Sequence, residues 1–131
     1  MALELFCLSL ILYHEARGEP RVGQLAVAEV VLNRVVDSRY PNAVCEVMEQ
    51  QHEGVCHFSF WCDGLSDNPE NKVLWAEVKI TAQQVFYAYP EMNLTQGATH
   101  YHHKNILPAW AKALTRVVQI DNHIFYRWEY D

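Results

Sequence analysis

The apolar stretch at the start of the chain constrains the fold more than any other feature. Residues 1–13 read MALELFCLSLILY, with Glu4 and Ser9 as polar interruptions. A segment that is apolar on nearly every side must be buried, so we expect a helix packed inside the domain. The stretch is too short to span a bilayer and lacks the basic residues and cleavage site of a signal peptide. We therefore expect no stable membrane insertion and no export signal in this chain.

The residues that follow break this helix. The segment YHEARGEP at 13–20 places Glu15 where the apolar helix ends, and Gly18 permits a backbone angle that other residues avoid. A carboxyl at the end of a buried helix loses hydration, which raises its pKa. Cleavage of a glycosidic bond requires a proton donor of this kind. Glu15 is therefore a candidate general acid, and the alternatives are an exposed last-turn residue or an ion pair with Arg17.

Most of the remaining chain has a helical pattern. Apolar spacing predicts a second helix at 21–36, with Glu29, Asn33 and Asp37 as its polar stripe. A short helix is expected from Pro41 to about Gln50, and a fourth helix ends near Tyr89, before Pro90. The segment 66–69, Ser-Asp-Asn-Pro, supplies the predicted N-cap and first-turn proline of this fourth helix.

Strands are expected in the second half of the chain. Residues 51–68 are irregular and predict a loop or a small hairpin lobe, while GATHYHH at 97–103 and NHIFYRW at 122–128 predict two short strands. Between them, LPAWAKAL predicts a turn and a short helix. The fold class is therefore mainly α, of the α+β type, with a small antiparallel β hairpin.

Composition bounds the kind of protein. A chain of 131 residues without linkers or repeats fits one domain, 1–131, which we expect to be a monomer. The net charge of −6 argues against nucleic acid as the main partner, because a phosphate-binding surface needs an excess of Lys and Arg.

Four cysteines raise the question of disulfides. Cys7 lies in the apolar helix and is expected to be a free thiol. Cys45, Cys56 and Cys62 lie closer together along the chain, and one disulfide, such as Cys56 to Cys62, could form in an oxidising compartment. Spacing alone does not decide the pairing.

Seven histidines suggest a metal hypothesis. His100 and His102 share one face of a predicted strand, and His103 and His123 could lie near them, which makes a three-histidine zinc site conceivable. A zinc-dependent peptidoglycan amidase or peptidase is the corresponding alternative function. No helical His-x-x-x-His pair and no Cys-x-x-Cys accompanies these residues, so we predict hydrogen-bonded strand histidines, no metal and no cofactor.

Six segments, taken in order, resemble the cell-wall hydrolases typified by the spore cortex-lytic enzyme SleB. They are YHEARGEP at 13–20, GQLAVAEVVLNRV at 23–35, FSF at 58–60, GATHYH at 97–102, LPAW at 107–110 and HIFY at 123–126. The resemblance implies a lysozyme-like domain that cleaves the bond between N-acetylmuramic acid (MurNAc) and N-acetylglucosamine (GlcNAc) in peptidoglycan. The first glutamate of the family's EARGE motif is the catalytic acid, which falls on Glu15.

In this family the reaction is usually a lytic transglycosylation, which needs only one carboxylate. Hydrolysis at the same bond needs a second carboxylate, as nucleophile or to hold water, and is the alternative. Glu19, Asp63 and Asp67 are the candidates for that second group. Glu19 could instead pair with Arg17 or Arg21, and Asp63 with Gly64 favours a turn.

Aromatic side chains suit sugar binding because flat rings stack on the apolar faces of pyranoses. The predicted substrate-binding residues are Phe58, Ser59, Tyr101, His102, Trp110 and Glu19. Packing in the core is the competing role of each aromatic residue. The chain carries His57 where the family commonly has Gln before FS, so substrate specificity could differ at that position.

A wall-binding module without catalysis is a further alternative, although it would not need a carboxyl at the end of a buried helix. The missing export signal and targeting repeat suggest a phage or prophage lysis enzyme of endolysin type. Such an enzyme accumulates in the host cytoplasm and reaches the wall through a helper pore. We expect its substrate to be the glycan strands of peptidoglycan.

Overall fold

The computed structural model describes residues 2–130, which form four α-helices and five short strands. The helices are α1 Ala2–Glu15, α2 Arg21–Val36, α3 Val44–Met48 and α4 Lys72–Ala88. The strands are β1 Gln51–His52, β2 Val55–Cys56, β3 His100–His103, β4 Thr115–Ile120 and β5 His123–Arg127. Met1 of the predicted first helix and Asp131 of the predicted domain lie outside the described residues. The predicted mainly helical α+β class is confirmed.

Helix α1 forms the centre of the helical part, as its apolar sequence predicts. Every residue from Cys7 to Tyr13 is buried, and α1 packs against α2, α3 and α4. Leu8, Ile11 and Leu12 have no exposed surface, and burying each such side chain contributes roughly 1.5 to 3 kcal/mol. Within residues 2–130, no helix has both the length and the apolar character needed to cross a membrane.

Two predicted helix boundaries were wrong. Helix α4 begins at Lys72, with Asn71 as its N-cap, because the Asn71 Oδ1 accepts a hydrogen bond of 3.0 Å from the Leu74 N–H. The Asn71 N–H in turn donates to the Tyr13 hydroxyl at 3.0 Å, which ties the helix start to α1. The predicted cap at 66–69 therefore lies in an extended segment before the helix. Helix α3 is also shorter than the predicted 41–50.

The strands form two antiparallel sheets. Strands β1 and β2 make a hairpin, in agreement with the lobe predicted at 51–68, and the second sheet has the order β3-β5-β4. Strand β4 was not predicted, so the second sheet has three strands and not the expected two. The segment LPAWAKAL contains a 3₁₀ turn at Ala109–Ala113. Phe125 of β5 packs on Ala26 and Val30 of α2, which joins this sheet to the helices.

The polar stripe predicted on α2 does not face solvent along its whole length. Glu29 is 1% exposed and accepts hydrogen bonds from the Leu94 and Thr95 N–H groups at 2.9 and 2.8 Å. Asn33 donates through Nδ2 to the Ala98 carbonyl at 2.8 Å. These side chains satisfy backbone groups of the segment 94–99 that leads into β3. Their role is to fix the approach of β3 to the helices.

Cys7 is not the free thiol that the sequence suggested. It forms a disulfide with Cys45, across a Cα–Cα distance of 5.3 Å. The pairing follows from the packing of α3 on α1, which sequence spacing does not reveal. Cys56 and Cys62 form the second disulfide, in agreement with the pairing considered from the sequence.

Candidate active site

The turn after α1 fixes the position of Glu15. Glu15 is the last residue of the helix, and the Ala16 N–H still donates to the Leu12 carbonyl at 3.1 Å. The Glu19 N–H then donates to the Ala16 carbonyl at 3.0 Å, and Gly18 has a φ of +85°. A side chain at that φ would be strained, which explains the glycine. The helix therefore ends abruptly and holds the Glu15 carboxyl at its end, partly buried.

Tyr101 is the direct partner of this carboxyl. It lies in the middle of β3, opposite Phe125 of β5, and its hydroxyl donates to Glu15 Oε1 at 3.3 Å. Burial raises the pKa of Glu15, while the Tyr101 hydrogen bond and the charges of His14 and Arg34 lower it in part. Burial also raises the pKa of Tyr101, and the adjacent Glu15 charge adds to this. The phenol therefore stays a hydrogen-bond donor.

A cleft of about 780 Å³ lies beside this pair. Its lining comes from α2, the β1–β2 hairpin, β3 and the aromatic residues near the end of the chain: Arg34, Arg39, Tyr40, Gln50, His52, Glu53, Val55, Cys56, His57, His100, Tyr101, Trp110 and Trp128. Glu15 is not itself part of the lining. Tyr101 is part of it, and its hydrogen bond to Glu15 joins the carboxyl to the cleft wall.

The structure brings only some of the predicted substrate-binding residues to the cleft. Tyr101 and Trp110 line it, and Trp110 is 36% exposed. Phe58 lies in the hydrophobic core with 2% exposure, so its role is the alternative one of core packing. His102 is buried, with hydrogen bonds of 2.8 Å to the Tyr126 hydroxyl and the His103 carbonyl. Ser59 is exposed at the start of the 3₁₀ turn at 59–62 and does not line the cleft.

Glu19 also lies away from the cleft lining. Its Oε2 accepts a hydrogen bond of 3.1 Å from Asn122, and its Oε1 is 3.5 Å from His123 Nδ1. Burial lowers the pKa of His123, and the Glu19 charge opposes this. Neither Arg17 nor Arg21 pairs with Glu19 as the sequence suggested. Glu19 instead ties the turn after α1 to the turn between β4 and β5.

The neighbours of Glu15 are held by aromatic contacts. The Arg17 guanidinium lies 5.0 Å from the centre of the Tyr13 ring, and the structure between residues 2 and 130 has no ion pair between Arg17 and Glu15. His14 stacks on Phe60 with ring centres 4.4 Å apart and contacts the Asp67 carbonyl at 3.0 Å through Nε2. The ion-pair interpretation of Glu15 was therefore wrong.

Comparison with known proteins identifies the family of this chain. The profile of the family described as cell wall hydrolase matches residues 18–126. The chain belongs to that family. The spore cortex-lytic enzyme of Halalkalibacterium halodurans is 30% identical over 114 residues, which cover 86% of this chain and 31% of that protein. The spore cortex-lytic enzyme of Bacillus cereus is 56% identical over 36 residues, 28% of this chain and 14% of that protein. The chain thus spans about a third or less of these relatives.

Two solved structures have the same fold. The catalytic domain of the germination-specific lytic transglycosylase SleB from Bacillus anthracis is 26% identical, with a TM-score of 0.76 over 95% of this chain and 93% of that domain. The catalytic domain of the Bacillus cereus SleB protein is 27% identical, with a TM-score of 0.71 over 97% and 91%. These matches confirm the family resemblance and the predicted lysozyme-like α+β fold.

The histidines of this family member make ordinary structural contacts. The His100 ring lies 5.2 Å from that of Trp110, and burial together with the Arg34 charge lowers the pKa of His100 to about 4. His103 and His123 have ring centres 6.0 Å apart. In the part of the chain that the structure describes, no three His, Cys, Asp or Glu side chains are placed to hold a metal.

Sequence reasoning missed most of the cleft lining, including Arg34 and Trp128. Trp128 follows β5 and was assigned only to a strand, yet the Arg39 guanidinium lies 3.9 Å from its ring centre and 4.1 Å from that of Tyr130. Arg39 also pairs with Asp37 at 2.8 Å. This stack holds a flat ring, 40% exposed, at the cleft. Arg34 lies in LNRV, within one of the segments that carry the family resemblance. The sequence feature that could have identified it is an arginine among the apolar residues of a predicted helix.

Proposed function

We propose that this member of the cell wall hydrolase family cleaves the β-1,4 bond between MurNAc and GlcNAc as a lytic transglycosylase. The observation that carries the proposal is the position of Glu15, whose carboxyl is partly buried and bonded to Tyr101 at the wall of the cleft. A volume of about 780 Å³ lies in the range of ligand sites. Trp110 and Trp128 offer flat rings for stacking on sugars.

The first step is proton donation by Glu15. Burial raises the pKa of Glu15, so this carboxyl keeps its proton at pH values where an exposed glutamate is already ionised. The proton passes to the glycosidic oxygen as the bond from that oxygen to the MurNAc C1 breaks. Glu15 then carries a negative charge, which the Tyr101 hydroxyl and the nearby Arg34 stabilise. The site therefore stabilises both the protonated and the ionised form of Glu15.

The second step returns the proton. The oxygen of the MurNAc C6 hydroxyl bonds to C1, and Glu15 accepts the hydroxyl proton as a general base. The product is a 1,6-anhydro-MurNAc end, and no water is consumed. One carboxylate suffices for this cycle, which fits the engagement of Glu19 with Asn122 and His123. Asp63 likewise accepts the Leu65 N–H at 2.9 Å in a surface turn.

Muramidase-type hydrolysis is the second candidate, and one observation favours it. The Asp67 carbonyl contacts His14, so the Asp67 segment lies against the turn that carries Glu15. Hydrolysis would require the Asp67 carboxylate to reach this turn and to position a water molecule for attack on C1. Hydrolysis would leave a reducing MurNAc end.

Mass spectrometry of digested, purified peptidoglycan tests both functions. We expect anhydro-MurNAc ends from the wild type and no fragments from Glu15→Gln, with binding to sacculi and folding intact. Glu77→Gln, which alters an exposed carboxyl on α4, is the matched control and should release fragments normally. Reducing ends that disappear in Asp67→Asn would favour hydrolysis. Fragment release by Glu15→Gln would refute the assignment of Glu15 as the proton donor.

We propose further that the enzyme acts as a monomer on glycan strands of the wall. The role of a phage or prophage lysis enzyme is proposed on the sequence alone. Expression in a bacterial host tests it: lysis that requires a co-expressed membrane pore supports this role, and lysis without a pore contradicts it.

A further inference from the structure

Arg34 of α2 is a buried cation in the cleft lining. It is 7% exposed, and its Nε donates to the Thr99 carbonyl at 2.8 Å. Its guanidinium lies 5.4 Å from the ring centres of both Tyr40 and Phe58, which hold it in place. Nη1 is buried and has no hydrogen-bond partner. The backbone therefore fixes Nε, and Nη1 remains without an acceptor.

Nothing within residues 2–130 neutralises this charge at close range. The ion pairs of the described chain join Arg39 to Asp37, Glu19 to His123 and Arg127 to Glu129, and none includes Arg34. A buried guanidinium with an unpaired N–H destabilises the free protein. Its place in the cleft lining suggests that a ligand supplies the missing acceptor.

Gln50, another residue of the cleft lining, has an acceptor without a donor, whereas Arg34 has a donor without an acceptor. Its Oε1 is buried without a hydrogen-bond donor. The cleft thus contains one unpaired donor and one unpaired acceptor. A secondary amide has one carbonyl oxygen and one N–H, so it can satisfy both.

We propose that Arg34 and Gln50 bind a secondary amide of the MurNAc residue, with Arg34 donating to its carbonyl oxygen and Gln50 accepting its N–H. This inference rests on the proposed function. MurNAc carries two such amides, the acetamido group at C2 and the bond from the lactyl group at C3 to the stem peptide. Both present the same chemistry to the pair.

Kinetics on three glycans tests the proposal and distinguishes the two amides. The substrates are intact peptidoglycan, amidase-treated glycan whose lactyl group ends in a carboxylate, and de-N-acetylated glycan. We expect Arg34→Lys to lower kcat/KM on intact peptidoglycan about 10- to 100-fold, since hydrogen bonds to charged groups are worth such factors. Arg116→Lys, which changes an exposed arginine of β4 outside the cleft, is the control and should stay near wild type.

The comparison between substrates decides the outcome. If the C2 amide is bound, the loss caused by Arg34→Lys disappears on de-N-acetylated glycan and persists on amidase-treated glycan. If the C3 amide is bound, the loss caused by Gln50→Leu disappears on amidase-treated glycan, which lacks the N–H, and persists on de-N-acetylated glycan. The loss caused by Arg34→Lys then persists on both, because the lactyl carboxylate still accepts a hydrogen bond from Arg34. An equal loss on all three glycans for both Arg34→Lys and Gln50→Leu would show that these residues act through the fold or through the charge of Glu15, and it would overturn the proposal. Gln50→Leu alone distinguishes the two amides, which keeps the test valid should Arg34→Lys not fold.

A binding measurement tests the proposal without any substitution of Arg34. The Glu15→Gln protein is titrated with a GlcNAc–MurNAc–dipeptide oligosaccharide while the Arg34 Nε–H resonance is followed by NMR. We expect this resonance to shift with the intact ligand and to shift less when the bound amide is absent. An unmoved resonance during saturable binding would contradict the inference. Fragment release by Glu15→Gln would instead refute the proposed function, so the two failures are distinguishable.

Discussion

The replacement of Glu29 by Gln tests how α2 holds the strand that carries Tyr101. Glu29 Oε2 accepts the Leu94 N–H, and Oε1 accepts both the N–H and the hydroxyl of Thr95. Gln keeps the shape and one acceptor oxygen but turns an NH₂ group towards one of these donors. The substitution therefore separates the chemistry of the carboxylate from its volume.

The expected cost follows from this geometry. With Gln Oε1 still facing Thr95, the partly buried Leu94 N–H loses its acceptor, which costs about 1 to 3 kcal/mol. The two bonds to Thr95 change from charge-assisted to neutral, and each weakens by about 1 kcal/mol. We therefore expect Glu29→Gln to lower the free energy of unfolding by about 4 kcal/mol.

Urea unfolding followed by tryptophan fluorescence measures this change. Glu91→Gln, an exposed carboxyl close in sequence to the same segment, is the control and should stay within about 0.5 kcal/mol of wild type. A change of less than about 1 kcal/mol in Glu29→Gln would refute the reasoning, because at least one buried N–H would then lack the expected penalty.

Three further outcomes are expected. Replacing Cys7 and Cys45 by Ser opens a cross-link with a sequence separation of 38 and should lower unfolding stability by about 4 kcal/mol, measured by thermal or urea unfolding; no change would contradict it. Tyr101→Phe removes a hydrogen bond that lowers the Glu15 pKa, so the alkaline limb of the pH profile of kcat/KM should move to higher pH, and a move to lower pH would oppose this assignment. EDTA should leave the rate of wall digestion unchanged, whereas loss of activity that zinc restores would favour the amidase or peptidase alternative.

The sequence predicted the part of the site that local physics controls. The apolar run of α1 required burial, and Gly18 with Pro20 required the chain to turn, so Glu15 was placed at the end of a buried helix. Tyr101 was recognised through the family resemblance and its aromatic character. These features depend on residues close together in the chain or on one recognisable motif.

Features that depend on tertiary contacts were missed. Glu29 looked like a solvated helix residue, and only the packing of the segment 94–99 shows that it satisfies backbone N–H groups. Cys7 looked like a free core thiol, and only the contact of α1 with α3 brings Cys45 to it. Glu19 was assigned to substrate because the motif contains it, yet its partners are more than 100 positions away in sequence.

Trp128 and Arg34, two of the cleft residues that the sequence did not reveal, were missed for the same reason. Trp128 gains its place from stacking with Arg39, 89 positions away. Arg34 belongs to the cleft because the segment that leads into β3 presents the Thr99 carbonyl to Nε. Apolar periodicity identifies the helix but not which of its polar residues will meet a strand.

A carboxyl ¹³C NMR titration of Glu15 in the folded protein is the most direct measurement of the central claim. Burial behind the Tyr101 hydroxyl predicts a Glu15 pKa above the ordinary glutamate value, with the assignment verified by loss of the signal in Glu15→Gln. A pKa at or below the ordinary value would mean that the carboxyl is hydrated and ionised at neutral pH, and it would contradict the role of Glu15 as proton donor.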